Sequence, residues 1–370
     1  MHIPFLDLKR QYIELEAEIT AATTRVLGSG SYILGPEVER FESEWAAFCH
    51  LRGSAAVASG TDALTLALMA SGSVRQGRGD EVITSPLSSP YTALGIVNAG
   101  GVPVFADINP ISCTLDPAEI EKSINSRTRA IVPVHLYGRM AEMTAIYEIA
   151  ARHDLFVLED AAQAHGARSA DLEATAYTRT SVFSFYPTKN LGAFGDGGAV
   201  VSTDESLIGQ VKTLRQGGHA AGLRAGRSGL NSRLDDLQAA VLRVKLERLE
   251  DSNSRRRRLA QIYTQGLQGF ADVISPSVSD PASHVHHLYV IQTEQRDGLR
   301  RHLVDCGIET MVHYPSLLHK EPLFCRAEQS PVPIAERIAN NILSLPLYPQ
   351  MKDEEVHTVI EAIRVFPDQE

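Results

Sequence analysis

Between residues 54 and about 205, short apolar runs alternate with longer stretches of helical periodicity. The runs are "AAVAS" (55–59), "EVITS" (81–85), "VPVFAD" (102–107), "AIVPVHL" (130–136), "LFVLED" (155–160), "SVFSF" (181–185) and "GAVVST" (198–203). Several lack polar alternation, so as strands they would be covered on both faces, as in a parallel sheet flanked by helices. "TDALTLALMA" and "MAEMTAIYEIAARH" supply helices between them. The pattern therefore predicts an open α/β sheet, which binds its ligands outside the C-terminal ends of the strands.

The rest of the chain predicts a second unit. A long helix is expected from about "SRLDDLQAAVLRVKLERLE". A stretch punctuated by glycine and proline follows, then "HHLYVIQT", "GLRRHLVDCG" and a last helix after Met351. The expected division is a large domain over 1–250 and a small α+β domain over 251–370. A helix at roughly 9–27 has no assignable packing partner from sequence. With 370 residues the chain is long enough for two domains and a large core. Its net charge of -10 disfavours general nucleic-acid binding. No apolar run reaches membrane-spanning length, and "MHIPFLDLKRQY" lacks a signal-peptide core. Cys49, Cys113, Cys306 and Cys325 form no C-x-x-C pair, so neither a disulfide framework nor a zinc site is expected, and a reducing cytoplasm fits.

Chemistry is expected at three strand ends. Lys189 follows "SVFSF" in a segment, 181–200, whose only other charge is Asp196. A solvated loop lysine is the ordinary reading, but aromatic, Gly-rich surroundings would desolvate the amine and depress its pKa. Only a neutral amine attacks a carbonyl, so such a lysine suits imine chemistry. Asp160 follows "LFVL". Alone it reads as a turn or cap residue; near a lysine it reads as the carboxylate that keeps a pyridinium protonated in pyridoxal phosphate (PLP) enzymes. Gln163 lies within reach of the same ligand. At Ser59-Gly60-Thr61 a strand turns into an apolar helix, which is either a plain N-cap or a phosphate site, and Ser184 adds a hydroxyl on the lysine's own strand. The arginines at 255–258 read as a solvated helix face, and "HVHH" at 284–287 as a strand or loop cluster without metal spacing. Neither a P-loop nor a dinucleotide fingerprint occurs.

Longer motifs carry a resemblance. "FLDLKRQY", "GSYILGPEVERFE", "SGTDAL", "PVHLYG", "EDAAQAHGA", "SFYPTKNLGAFGDGG", "NSRLDDLQAAVLRVKL", "HYP" and "LSLPLYP" occur in family order along nearly the whole chain. In these the sequence resembles the DegT/StrS-type sugar aminotransferases. The resemblance implies the fold type I aminotransferase architecture. That architecture has a large domain with a mainly parallel seven-stranded sheet, a small C-terminal domain, and a homodimer with shared active sites. It implies PLP as cofactor, held as an imine by Lys189, with Asp160 on the pyridine nitrogen and Gln163 beside the phenolic oxygen. Gly60, Thr61 and Ser184 match phosphate ligands. Asn231 matches an asparagine that reaches the partner subunit's phosphate. His313, Tyr314 and His319 fall where small-domain residues approach the substrate.

The implied reaction moves an amino group from an amino acid, expected to be L-glutamate, to a nucleotide-linked keto sugar. The alternatives are amination of a cyclitol ketone, a PLP-dependent dehydration on the same fold, or a non-catalytic PLP-binding or regulatory role. Three positions depart from the family pattern. Ser89 stands where an aromatic residue usually stacks on the cofactor ring, with Tyr91 a substitute if the backbone is extended there. Leu230 replaces the tyrosine before Asn231. "RSADLEATAYTRTS" lacks the usual glycine-rich turn.

Overall fold

The computed structural model describes residues 2–169, 178–219, 228–270, 280–325 and 330–366. The seven apolar runs form eight strands, segment 155–160 contributing two. They are β1 (Gly53–Val57), β2 (Glu81–Thr84), β3 (Val102–Phe105), β4 (Thr128–Val132), β5 (Phe156–Val157), β6 (Glu159–Asp160), β7 (Thr180–Ser184) and β8 (Gly198–Ser202). Two four-stranded groups, β3-β2-β4-β5 and β1-β8-β7-β6, meet in segment 156–160. There Leu158 N–H donates to Ile131 and Asp160 N–H to Pro133, so the two groups read as one seven-stranded sheet. Among the described strands of this sheet β8 alone is reversed in direction. The other strands consequently end at one common edge.

Side chains alternate across this sheet, as period-2 geometry requires. Ala55, Val57, Val182 and Val200 face a core with Leu64, Leu66 and Leu68 of α3 (Gly60–Ser71), together with Leu207 and Ile208. Ala56, Phe183, Ala199 and Val201 face the opposite way. They pack on Val38, Phe41 and Trp45 of α2 (Pro36–Phe48) and on Ala239 and Leu242. Both faces are dry, which is why these strands carry no polar alternation.

The C-terminal part has its own core. β9 (Tyr289–Gln292) pairs antiparallel with β10 (Ile342–Leu345). Tyr263, Tyr289, Leu303, Leu345, Val359 and Ile360 pack around this pair, and Ile3 joins them from the N-terminus. The N-terminal helix α1 (Leu8–Ser29) now has partners. Ala22 and Val26 pack on Ala240, and Arg10 reaches the C-terminal helix through Glu355 at 2.8 and 2.9 Å.

Two sequence expectations need correction. The long helix is two helices, Asp236–Leu246 and Leu249–Gly266, separated at Glu247-Arg248. The arginine run is not a uniform solvated face. Arg256 shares a buried helix face with Leu249, Asn253, Leu259 and Tyr263, and is 4% exposed. Its guanidinium donates to the carbonyls of His286, His287 and Leu347. Arg255 and Arg258 pair with Asp353, and Arg257 with Glu250. The "RSADLEATAYTRTS" stretch falls largely outside the described residues.

Candidate active site

The predicted residues gather where the parallel strands end. Asp160 closes β6 and is 4% exposed. Its Oδ2 accepts from the Thr92 hydroxyl at 2.8 Å and its Oδ1 from Ala162 N–H at 3.1 Å. Burial pushes this carboxyl up; Thr92, Ala162 N–H and the charge of Lys189 pull it back toward ionisation. Lys189 is held in a turn by its own N–H donating to Tyr186. Desolvation lowers its ammonium to about 8, against the attraction of Asp160. At neutral pH about a tenth of such a lysine is neutral amine, against roughly 0.03% of an ordinary lysine.

Three histidines bordering this charge are held neutral. His165, His287 and His313 are all depressed, first by burial and then by the Lys189 charge. His313 is lowered to about 4, and its Nδ1 lies 2.9 Å from Ser344 Oγ. A neutral surround leaves Asp160 as the counter-charge to Lys189.

Gln163 is oriented from both ends. Its Oε1 accepts Tyr137 N–H at 2.7 Å, so its Nε2 donates to the Tyr314 hydroxyl at 2.9 Å. Tyr137 has a left-handed backbone (φ 60°), and its hydroxyl donates to the His313 carbonyl. The Tyr314 phenol is pushed up to about 12 by burial and by Asp160, with Gln163 and the nearby Ser89 opposing the rise.

The strand-to-helix corner after β1 forms a cradle. Ser59 caps α3 by accepting Asp62 N–H, leaving the Gly60 and Thr61 N–H groups without partners inside the helix. Gly60 lies against Ser184: a Cβ on Gly60 would come within 2.7 Å of the serine Cβ. Asn231 is exposed and pairs by backbone with Gln216. The next residue, Ser232, accepts Ala58 N–H and donates to Asp62, anchoring this loop to the same corner.

His319 is not drawn into this group. It pairs with Glu336 at 3.4 Å and lies near Phe105. Tyr91 is the second residue of α4 (Pro90–Asn98) and 60% exposed, so the extended backbone that would let it replace Ser89 does not occur.

Sequence reasoning missed several residues. Thr92 is one. A second group lies beside Asp160 on the same strand. Glu159 is buried and accepts from Tyr147 (2.8 Å) and His135 (2.9 Å), with Arg179 at 3.5 Å. His135 Nδ1 accepts Ala141 N–H, so its Nε2 carries the proton donated to Glu159. These partners hold Glu159 at about 2 despite burial. Two ionisable residues ending otherwise apolar runs, His135 and Glu159, were the available signal.

The donor set fits PLP. A desolvated amine suits its aldehyde, a buried carboxylate its ring nitrogen, and a helix N-terminus with small hydroxyl residues its phosphate.

The DegT/DnrJ/EryC1/StrS aminotransferase family model matches residues 13–364. The chain is 45% identical over 368 residues to a dTDP-3-amino-3,4,6-trideoxy-alpha-D-glucose transaminase of Streptomyces venezuelae, covering 99% of this chain and 96% of that protein. It superposes on the X-ray crystal structure of S. venezuelae DesV with a TM-score of 0.94 and 45% identity, over 98% of both chains. It is similar also to the crystal structure of NtdA from Bacillus subtilis with bound cofactor PMP. There the TM-score is 0.90 and the identity 34%, over 98% of this chain and 84% of that one.

Proposed function

The chain is a member of the DegT/DnrJ/EryC1/StrS aminotransferase family, and from that premise we propose that it uses PLP to aminate a nucleotide-linked keto sugar, with L-glutamate as donor. The observation that carries this reading is the desolvated Lys189 amine coupled to buried Asp160 at the common strand edge. Bound PLP supplies an aldehyde that condenses with amines and a protonated ring that accepts an electron pair. Lys189 is the residue that would hold the aldehyde carbon, and its Nζ, once released by an amino substrate, would move the proton at the carbon that bears the amino group. A pKa of about 8 suits both taking and returning it near neutral pH. Asp160 holds the ring-nitrogen proton. Gln163, fixed by Tyr137, orients the ring's phenolic oxygen. Gly60, Thr61 and Ser184 bind the phosphate, and His313 and Tyr314 face the substrate. His319, paired with Glu336, is left out of this set.

Retained Lys189 favours transfer over dehydration, because related sugar dehydratases carry histidine at that position. The direct test supplies 15N-labelled L-glutamate and a panel of nucleotide-linked keto sugars to the PLP-loaded enzyme. Label should appear in one sugar nucleotide by mass. Transfer to a free cyclitol ketone, and to no nucleotide sugar, would replace the reading with its nearest rival.

The reading extends to assembly and location. Residues 1–250 are the large cofactor-binding domain and 251–370 the small domain of a homodimer, working in the cytoplasm. Among the described residues no helix is long and apolar enough to cross a membrane. Asn231 completes the phosphate site of the other subunit, offering two N–H donors without added charge. In mixtures of Lys189→Ala with Asn231→Ala subunits, each heterodimer has one site carrying both defects and one carrying neither. Activity should partly return on mixing. If mass-verified mixed dimers stay inactive, Asn231 serves its own subunit's cradle, where its neighbour Ser232 is anchored.

Ser89 is the remaining departure. Here its side chain touches the Tyr314 phenol rather than presenting a ring. Ser89→Phe should tighten PLP binding about 3–10-fold, in line with an aromatic contact of ~0.5–1.5 kcal/mol. Equilibrium dialysis reads this, and unchanged or weaker binding would place Ser89 off the ring face.

A further inference from the structure

We propose that Thr92, seconded by Ser88, is a positioning residue that sets the direction and ionisation of Asp160 toward the cofactor's ring nitrogen; this rests on the function proposed above. Thr92 lies in the first turn of α4 and is 2% exposed. Its N–H is already satisfied by the Ser89 carbonyl at 3.1 Å, so its hydroxyl is not needed to cap the helix. Instead Oγ1 lies 2.8 Å from Asp160 Oδ2. Ser88 Oγ, 1% exposed, lies 2.9 Å from Thr92 Oγ1.

The proton count fixes the direction of this chain. An ionised carboxylate only accepts, so the single Thr92 hydroxyl proton goes to Asp160. Ser88 must then be the donor to Thr92. Two hydroxyls in series polarise one another, Ser88 donating to Thr92 Oγ1 and Thr92 donating to the carboxylate. The second oxygen, Oδ1, is held by Ala162 N–H. Asp160 is thus pinned from two elements, the helix after β2 and the turn after β6, and its remaining lone pairs have a fixed aim. Burial alone favours the protonated acid, which could not hold a ring-nitrogen proton. Thr92, itself 2% exposed, opposes that tendency from inside the protein.

Valine has nearly the shape of threonine without the hydroxyl. Thr92→Val should weaken PLP binding roughly 10-fold and slow turnover roughly 10–100-fold, as expected for one lost bond to a buried charge. Thr92→Ser should stay within about threefold of wild type. Ser88→Ala, which leaves the direct contact intact, should lose about threefold.

The deciding probe is 1-deaza-PLP, which keeps the aldehyde and phosphate but has carbon in place of the ring nitrogen. Dissociation constants for PLP and for this analogue are measured by dialysis on the full-length chain for all four proteins. Wild type should prefer PLP, whereas Thr92→Val should bind the analogue as tightly as wild type does. Equal weakening of both ligands in Thr92→Val and Ser88→Ala would make the hydroxyls merely structural and overturn the proposal. Wild-type PLP affinity retained in Thr92→Val would overturn it as well. If wild type fails to prefer PLP over the analogue, Asp160 is not the ring-nitrogen partner. In that case the assignment of Asp160 fails first, and the role of Thr92 with it.

Discussion

Lys189→Ala is expected to lose at least ~10⁴-fold in turnover, the scale on which removal of a covalent nucleophile acts. On the proposed function the lysine would have two tasks, holding the aldehyde carbon and moving the substrate proton, and alanine could perform neither. The variant should nevertheless fold and bind PLP weakly through the phosphate cradle, because Gly60 and Thr61 open α3 and Ser184 closes β7 ahead of the turn that carries Lys189. The pH dependence carries the same signature. The ammonium sits at about 8 because desolvation disfavours the charge more than Asp160 favours it. The neutral fraction therefore rises about tenfold per pH unit below 8 and levels above it. Stopped-flow capture of PLP by wild-type apoprotein should follow that curve. A rate still climbing in proportion to hydroxide up to pH 10 would mean an ordinary lysine. Wild-type turnover by Lys189→Ala would remove the residue from the reaction.

Asp160→Asn is expected to cost about 100-fold or more in turnover while PLP binding survives, the range seen when a key electrostatic group is removed. On the proposed function the carboxylate and a ring-nitrogen proton would form a charge-assisted contact at a buried position. An amide cannot carry the charge that keeps the ring protonated. The neutral asparagine also relieves the pull on Lys189, so its ammonium should fall below 8. A steady-state assay with a PLP titration separates the two effects. An unimpaired Asn variant would exclude Asp160 from the chemistry.

The strands were legible because burial on both sheet faces demands unbroken apolar runs, and Val182 and Phe183 pack on opposite layers. Lys189, Asp160 and Ser59-Gly60-Thr61 were legible because each interrupts such a run at its end. Thr92 was not. A threonine in the first turn of an apolar helix has no pattern to violate, and only the fold brings it to Asp160. Arg256 was misread because four adjacent arginines hide a helix period, although 253, 256, 260 and 263 lie on one buried stripe. Tyr91 does not stand in for Ser89 because Pro90, which suits the first position of a helix, starts α4 there and leaves no extended backbone. The tie between His135 and Glu159 joins two strand ends far apart in sequence, which local patterns do not reveal.

The central claim is that Lys189 lets this chain take an amino group from an amino acid. The most direct measurement loads the protein with PLP, removes excess cofactor, adds L-glutamate with no acceptor, and counts the 2-oxoglutarate released. The account predicts one equivalent per chain in wild type and none above background in Lys189→Ala. Absence of 2-oxoglutarate from the loaded wild type with glutamate, or equal release by the alanine variant, would contradict it.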